Sequence, residues 1–374
     1  MAGHHGTEAG VLPAPIPWWS WLLPLLASAL LALPAQARAV VPPVALDTVL
    51  AAVLVGTVLA AVHHAEVVAH RLGEPYGTLV LAVAVTVIEV ALIVSIMLSG
   101  GPEKAALARD TVFAAVMIVC NGVVGLCLLL GGARHHEQGY QLRGAAAYLA
   151  VLTALATLTL VLPNYTLTAP GPLFTNWQLT FVGLVSLALY GVFLFVQTLR
   201  HRDYFLPETA DGDEDEHAPP PTARAAAISA GLLLVSLGAV VLLAKALAPT
   251  LEAGVARIGA PAALVGVVIA GLVLLPESLA ATRAARRDRL QTALNLALGS
   301  AVASIGLTIP AVGALSVVLG RDLVLGLEAK ETVLLGLTLL LSVLTLGTTG
   351  RTTVLQGAVH LVVFAVFLFL VVVP

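Results

Sequence analysis

The sequence predicts an all-α integral membrane protein of about eleven transmembrane helices. Composition is the first reason. Of 374 residues, 59% are hydrophobic and only 10% are charged, with a mean hydropathy of +1.01. A soluble domain could not hide that much apolar surface. The second reason is spacing: apolar runs of about 20 residues, the length that crosses a bilayer as a helix, recur along the chain. The third is that two of these runs contain a carboxylate in their interior, a costly placement that marks a functional site in a membrane protein. The formal net charge of −3 gives no footprint for nucleic acid. Cys120 and Cys127 lie seven apart in one apolar run and so on one helix face, which fits packing residues better than a disulfide or a metal pair.

Residues 1–15 read as a polar tail containing His4 and His5. Residues 16–36 are apolar, with Trp18, Trp19 and Trp21 at one end as in an interfacial aromatic belt. Ala35 to Ala37 has the small-residue pattern of a signal-peptide cleavage site. No basic leader precedes it, so a retained first helix is expected. Ten further spans follow, at about 45–70, 76–99, 110–131, 143–163, 176–199, 224–248, 255–281, 289–318, 330–348 and 353–373.

The second span ends in His63, His64, Glu66, His70 and Arg71. His63, Glu66 and His70 share one helical face, either as a metal site or as a polar helix end that meets water and lines an ion vestibule. The third span, GEPYGTLVLAVAVTVIEVALIVSIMLSG, opens on helix breakers and carries Glu89 13 residues in, close to the bilayer midplane. Thr78 shares the face of Glu89, and Thr86 lies one turn before it. A lone midplane glutamate is either neutral or bound to a cation, and an antiporter uses both states; the alternative is a protonated structural glutamate. In the fourth span Asn121 is either a ligand oxygen or an interhelical hydrogen-bonding group, with Gly122 and Gly125 allowing close helix packing.

Residues 201–223 are the long hydrophilic segment, with Asp211, Asp213, Glu214, Asp215 and Glu216 clustered. The spacing of the aspartates resembles the start of an EF-hand loop. Glu216 stands where that loop needs glycine, however, and Thr222 stands at the twelfth position, so a solvated, flexible linker is expected, with weak cation sensing or attraction as the alternative. The segment divides the chain into a tail with a first helix (1–40), a five-helix half (41–200), the linker (201–223) and a second five-helix half (224–374).

The second half repeats the pattern of the first. At AGLVLLPESLAATRAARRDRLQTALNLALGSAVASIGLTIP an apolar run meets Pro276-Glu277. Pro276 has no N–H for the carbonyl of Leu272, and a freed carbonyl beside a carboxylate is a hard oxygen ligand. The competing reading places Glu277 at a helix end touching headgroups or water. In the next span Ser300, Ser304 and Thr308 recur every four residues as a polar stripe, from which Asn295 points away. Glu89 in span three and Glu277 in span eight are an odd number of spans apart, so the halves run in opposite directions, as in an inverted repeat with its substrate near the midplane. Lys and Arg number eleven on the N-terminal side of the spans and seven on the other. The positive-inside rule then places the N-terminus and linker in the cytoplasm and the C-terminus outside. His360, in the last span, reads as a packing or interface residue, with a proton relay as the alternative.

The segments GEPYGTLVLAVAVTVIEVALI, LPESLAATRAARRDRLQTALNLALGSAVASIGLTIP and GRTTVLQGAVHLV resemble the bacterial sodium/calcium–proton antiporters of the Ca²⁺:cation antiporter superfamily, and the resemblance runs through spans two to eleven. It implies an extra first helix, two inverted five-helix halves and a glutamate of a Gly-Asn-x-x-Glu pattern in each. Glu89 and Glu277 match those glutamates, and Gly299-Ser300 matches a Gly-Ser pair of the second repeat. Val85-Thr86 and Val273-Leu274 replace the usual Gly-Asn, and Ala303 stands where a polar amide is common. That departure leaves room for Na⁺ or K⁺ beside Ca²⁺.

The expected function is therefore secondary antiport of Ca²⁺, Na⁺ or K⁺ against H⁺ in the inner membrane. Glu89 and Glu277 would bind the cation, with Thr86, Asn121, Ser300, Ser304 and freed carbonyls completing an oxygen shell. The partners are the lipid bilayer, inorganic cations and protons; homo-oligomers stay open, and no resident cofactor is expected. An ion channel, or a proton-conducting subunit of a larger complex, is the alternative. The spans contain no Ser or Cys paired with a facing His, and no HExxH, so an intramembrane enzyme is not expected.

Overall fold

The computed structural model describes residues 17–33, 42–73, 76–99, 104–206 and 221–373. The side chain of Thr78 and the acidic cluster at 211–216 lie outside the described residues. The architecture is a helical bundle: α1 Trp18–Ala32, α2 Pro43–Leu72, α3 Tyr76–Ser99, α4 Leu107–His135, α5 Leu142–Tyr165, α6 Asn176–Arg200, α7 Ala223–Arg257, α8 Ala263–Val273, α9 Leu275–Arg286, α10 Leu290–Leu319, α11 Ala329–Leu346 and α12 Val354–Val372. Among the described residues nine helices are long and apolar enough to cross a membrane, and ten if α8 and α9 together make one span. The predicted count of eleven would need α1, whose 15 residues reach about 22 Å of a hydrocarbon core of about 30 Å.

Two boundaries differ from the sequence pattern. The span expected to stop near 248 continues through Pro249 to Arg257, where Gly259 at φ 66° turns the chain. The next span therefore begins at 263 rather than 255. It is broken between Val273 and Leu275, with a 56° bend just before Pro276. The missing N–H of proline and its ring account for the break.

Short contacts tie the ends of the bundle. Gln138–Gly139 and Arg351–Thr352 pair antiparallel (β1 and β2) at one end of α5, and Leu173 bridges Val324 at the other. Residues Arg202–Phe205 form a 3₁₀ turn, and the buried Phe205 ring packs edge-on against Tyr148 and Phe193. Two apolar clusters form the core. One gathers α4–α6 and α10–α12. The other gathers α1, α2, α7 and part of α3 and α8. Cys120 and Cys127 are free and buried in the first cluster, as packing residues are.

Among the described residues four helices contain a π turn, including Ile118–Val123 in α4 and Ser304–Thr308 in α10. Such wide turns free or redirect side chains mid-helix and concentrate at functional positions. α3 packs against the π turn of α10, and α9 packs against α4 and its π turn.

α4 and α12 cross where glycines allow it. A Cβ on Gly357 would lie 2.5 Å from the Leu129 amide nitrogen and 2.8 Å from the Gly125 carbonyl. Gly122 meets the ring of Phe364 in the same way. Gly357→Leu is expected to cost about 1–3 kcal/mol by overpacking. In detergent this reads as a lowered thermal unfolding midpoint, whereas Gly336→Leu, at a site with open space around it, leaves the midpoint in place.

Candidate cation site

Glu89 is 2% exposed, deep in α3. Its Oε2 accepts two hydrogen bonds from α10: Ser304 Oγ donates at 3.0 Å and Thr308 Oγ1 at 2.8 Å. Both hydroxyl residues are buried and stand at the two ends of the π turn. A mid-helix hydroxyl commonly donates back to the carbonyl four residues earlier. Thr86 does so, to Ala82 at 2.8 Å. Ser304 and Thr308 instead donate to the carboxylate, so α10 supplies a preset pair of donors to a group on α3. Ser300, one turn earlier, is half-buried and makes no side-chain hydrogen bond among the described residues.

Glu277 sits in the first turn of α9, just past the bend, with Pro276 beside it. Backbone N–H groups at a helix start favour negative charge there, by up to about 2 kcal/mol in a partly buried setting. Glu277 Oε2 is shielded from solvent and has no hydrogen-bond partner among the described residues. The carbonyl of Leu272, which lost its helical donor to Pro276, is approached by the Leu274 N–H. The carboxylate lies within electrostatic reach of both Glu89 and Glu66. The packing agrees. Ala65, Ile88 and Val273 are buried in one cluster, which holds the segments before Glu66, Glu89 and Glu277 together.

Asn121 has different partners. It is fully buried on the π turn of α4, and its Nδ2 donates to Thr338 Oγ1 at 2.8 Å and contacts Met117 Sδ at 3.8 Å. Its Oδ1 faces His360 Nδ1 at 3.2 Å, and His360 Nε2 lies 2.8 Å from Thr345 Oγ1. An amide oxygen only accepts, so Nδ1 carries the proton, and in the neutral ring Nε2 shares the one Thr345 hydroxyl proton with the Leu341 carbonyl, which lies 2.8 Å from Oγ1. Asn121 thus joins α4, α11 and α12 through hydrogen bonds. His360, expected at packing or an interface, is a fully buried member of the same network.

The group on α2 splits by depth. His64 Nε2 bonds the Ser20 carbonyl at 2.9 Å, and His63 packs against Trp19 with ring centroids 5.4 Å apart, so both fasten α1. Glu66 and His70 are exposed. Among the described residues no three His, Cys, Asp or Glu side chains converge as metal ligands, so His63, Glu66 and His70 share a face without forming a cage.

A model for the sodium/calcium exchanger protein family matches residues 44–199 and 228–373. The chain belongs to that family. Exchangers of this family are transporters, and the chain is a multi-pass membrane cation exchanger. It is 53% identical over 367 residues to "Putative ionic transporter y4hA" of Sinorhizobium fredii, covering 97% of this exchanger and 98% of that protein. It is 38% identical over 351 residues to "Sodium-potassium/proton antiporter ChaA" of Escherichia coli, covering 93% and 94%. Among solved structures, native YfkE superposes with a TM-score of 0.72 at 16% identity, covering 95% of this exchanger and all of that chain. The H⁺/Ca²⁺ exchanger CAX superposes with a TM-score of 0.67 at 16% identity, covering 94% and 88%. These two likenesses show that the exchanger has their fold.

The sequence had marked Ser304 as a ligand but had left Thr308 in the stripe without that role. Its signal was the four-residue spacing from Ser304. Each of the two hydroxyls makes a bond to a charged group worth about 1.5–3 kcal/mol. Ser304→Ala and Thr308→Val are each expected to weaken cation exchange by about tenfold or more, and the double variant further, at unchanged expression and folding. Initial rates of cation uptake in vesicles measure this.

Proposed function

We propose that this exchanger moves Ca²⁺, Na⁺ or K⁺ against H⁺ by alternating access at a site built on Glu89 and Glu277. One observation carries the reading. Two carboxylates from opposite sides of the 207–220 segment stand on elements that pack together, Glu89 on α3 and Glu277 just past α8, with no basic side chain paired to either among the described residues. Two such charges repel, so protons or a cation must neutralise them. An empty, doubly charged site is too costly to reorient across hydrocarbon, and that cost couples the two fluxes. Ser304 fixes Glu89 together with Thr308. Thr86, Ser300 and Asn121 remain as candidate oxygens, with Asn121 committed to His360 and Thr338 in this conformation.

Two inverted five-helix halves support the site. The π turns of α4 and α10 fall in spans five apart, and each faces the acid-bearing helix of the other half. The proposed placement is the inner membrane, with the N-terminus and the acidic linker in the cytoplasm and the C-terminus outside. The names of the relatives include both sodium–potassium and calcium exchange against protons. Cation-stimulated proton flux in proteoliposomes, scanned over Ca²⁺, Na⁺ and K⁺, tests the reading and identifies the ion. Cation flux without obligatory counter-movement of protons would establish a channel instead.

Glu89→Gln and Glu277→Gln are each expected to abolish exchange in a protein that still inserts. Near-normal exchange by either well-expressed variant, measured in the same vesicles, rules out the two-carboxylate mechanism.

Cation binding is expected to weaken as pH falls, because protons occupy the oxygens that the cation needs. The slope reaches about 100-fold per pH unit if a divalent ion displaces two protons and about tenfold if it displaces one. Binding to detergent-purified protein between about pH 5.5 and 8.5, where perturbed carboxylates titrate, measures the slope. A flat affinity across that window excludes direct competition.

A further inference from the structure

Lys245 is a charged residue of the spanning region that the cation site does not use. It lies on α7, seven residues before Glu252, and so about 10 Å deeper in the bundle than the Lys104–Glu252 ion pair. The Thr250–Asp47 hydrogen bond of 3.1 Å marks the same end of the bundle, near the start of α2. Lys245 is nevertheless exposed. An ammonium group facing the hydrocarbon layer is costly, and its long stem lets it reach toward the headgroups.

The neighbouring helices offer Lys245 no counter-charge. α10 carries no charged residue between Leu290 and Leu319. α3 carries only Glu89, which is buried and held by Ser304 and Thr308. The nearest acid on α7 itself, Glu252, is paired with Lys104. Among the described residues no ion pair forms to Lys245.

Lys245 also stands in the wall of a groove. α3 packs against α7 on one side and against α10 on the other, and the three helices line a cavity of about 630 Å³. That volume is in the range of small-molecule sites, about 300–1,000 Å³. The groove follows α3 from Thr86 to Leu98, about 18 Å. Its walls are apolar except for Thr86, Ser95 and Lys245, and Val87, Leu98, Leu242 and Leu315 along it are exposed. Of the α7 residues that line it, Lys245 is nearest the Lys104 end. An apolar slot open to the bilayer, with one unpaired cation toward its headgroup end, complements a lipid that carries an acyl chain and a negative charge.

We propose that this groove binds one anionic phospholipid, with the phosphate on the Lys245 ammonium and an acyl chain along α3 toward Thr86. α7 and α10 belong to different apolar clusters, so the chain touches both packed bodies at once. The assignment does not depend on which ion is exchanged.

The test measures lipid binding to delipidated protein in detergent. Native mass spectrometry counts bound phosphatidylglycerol and phosphatidylcholine of equal chain length, and the thermal unfolding midpoint reports the stabilisation that each confers. The wild-type protein is expected to hold one phosphatidylglycerol about fivefold or more tighter than phosphatidylcholine, the scale of one lysine at an anionic lipid surface. Lys245→Gln, at an exposed position, should fold normally and lose that preference, and Lys245→Arg should keep it. Ala311→Trp, which fills the groove, should lose the tightly held lipid. Equal preference in Lys245→Gln and wild-type protein overturns the proposal, and so does a wild-type protein that binds the two lipids alike. Inorganic phosphate that raises the midpoint as far as phosphatidylglycerol does overturns it as well, because the site would then take an anion without a chain. A preference that survives Ala311→Trp in folded protein removes the chain from the groove.

Discussion

The structure depends on the cost of keeping carboxylates inside the membrane. Placing one acid at the centre of a spanning helix costs about 2.5–3.5 kcal/mol on insertion scales. Two hydroxyl bonds to Glu89, each worth about 1.5–3 kcal/mol, are of the size needed to offset that cost for one charge. The start of α9 offers Glu277 up to about 2 kcal/mol. Among the described residues neither acid has a basic partner to hold it permanently ionised. The balance is close enough to zero for a proton or a cation to decide the charge state, which is the condition that exchange requires. A buried lysine or arginine beside either acid would remove that choice.

The local devices follow from this balance. Pro276 breaks α8 from α9 and so creates a helix start at membrane depth, where an uninterrupted helix would have none. The π turn of α10 does comparable work for Glu89 by turning Ser304 and Thr308 outward onto another helix. Asn121 occupies the π turn of α4, yet its hydrogen bonds tie α4 to α11 and α12. The two wide turns therefore occupy corresponding spans and carry different loads, one on a carboxylate and one on a structural network.

Much of this was legible in the chain. An acid in an apolar run is conspicuous, so Glu89 and Glu277 stood out, and the proline before Glu277 signalled the bend. The hydroxyl stripe at Ser300, Ser304 and Thr308 was visible too, but a 3.6-residue period gives its members equal standing. The π turn, which no local sequence pattern announced, brings Ser304 and Thr308 to Glu89 and leaves Ser300 outside the contact. The end of α7 lies nine residues past the expected 248, since Pro249 is accommodated inside the long apolar helix. The bond between Asn121 and His360 joins residues 239 positions apart. Each looked like an isolated polar residue because a single sequence carries no sign of such a pairing.

The two apolar clusters explain why the site lies where it does. Along α3, Ala84, Ile88 and Leu92 pack in the cluster of α2 and α7, while Ile93 packs in the other. Along α8 and at the break after it, Val265, Ile269 and Val273 belong to the cluster of α2 and α7, and Ala270 and Leu274 to the other. Both acid-bearing segments therefore run along the seam between two packed bodies. At the end of the bundle away from His70, Lys104 pairs with Glu252 of α7, and the buried Arg109 is held by Asp110 and by the Gly326 carbonyl at 3.1 Å. At the His70 end the side chains nearest the site on α2 are exposed. In the proposed antiport, a small shear along such a seam would change which end is closed without breaking either core, because each cluster would keep its own contacts. Carboxylates placed inside one cluster would stay buried through that motion. Placed at the seam, they meet water from whichever side the two bodies part.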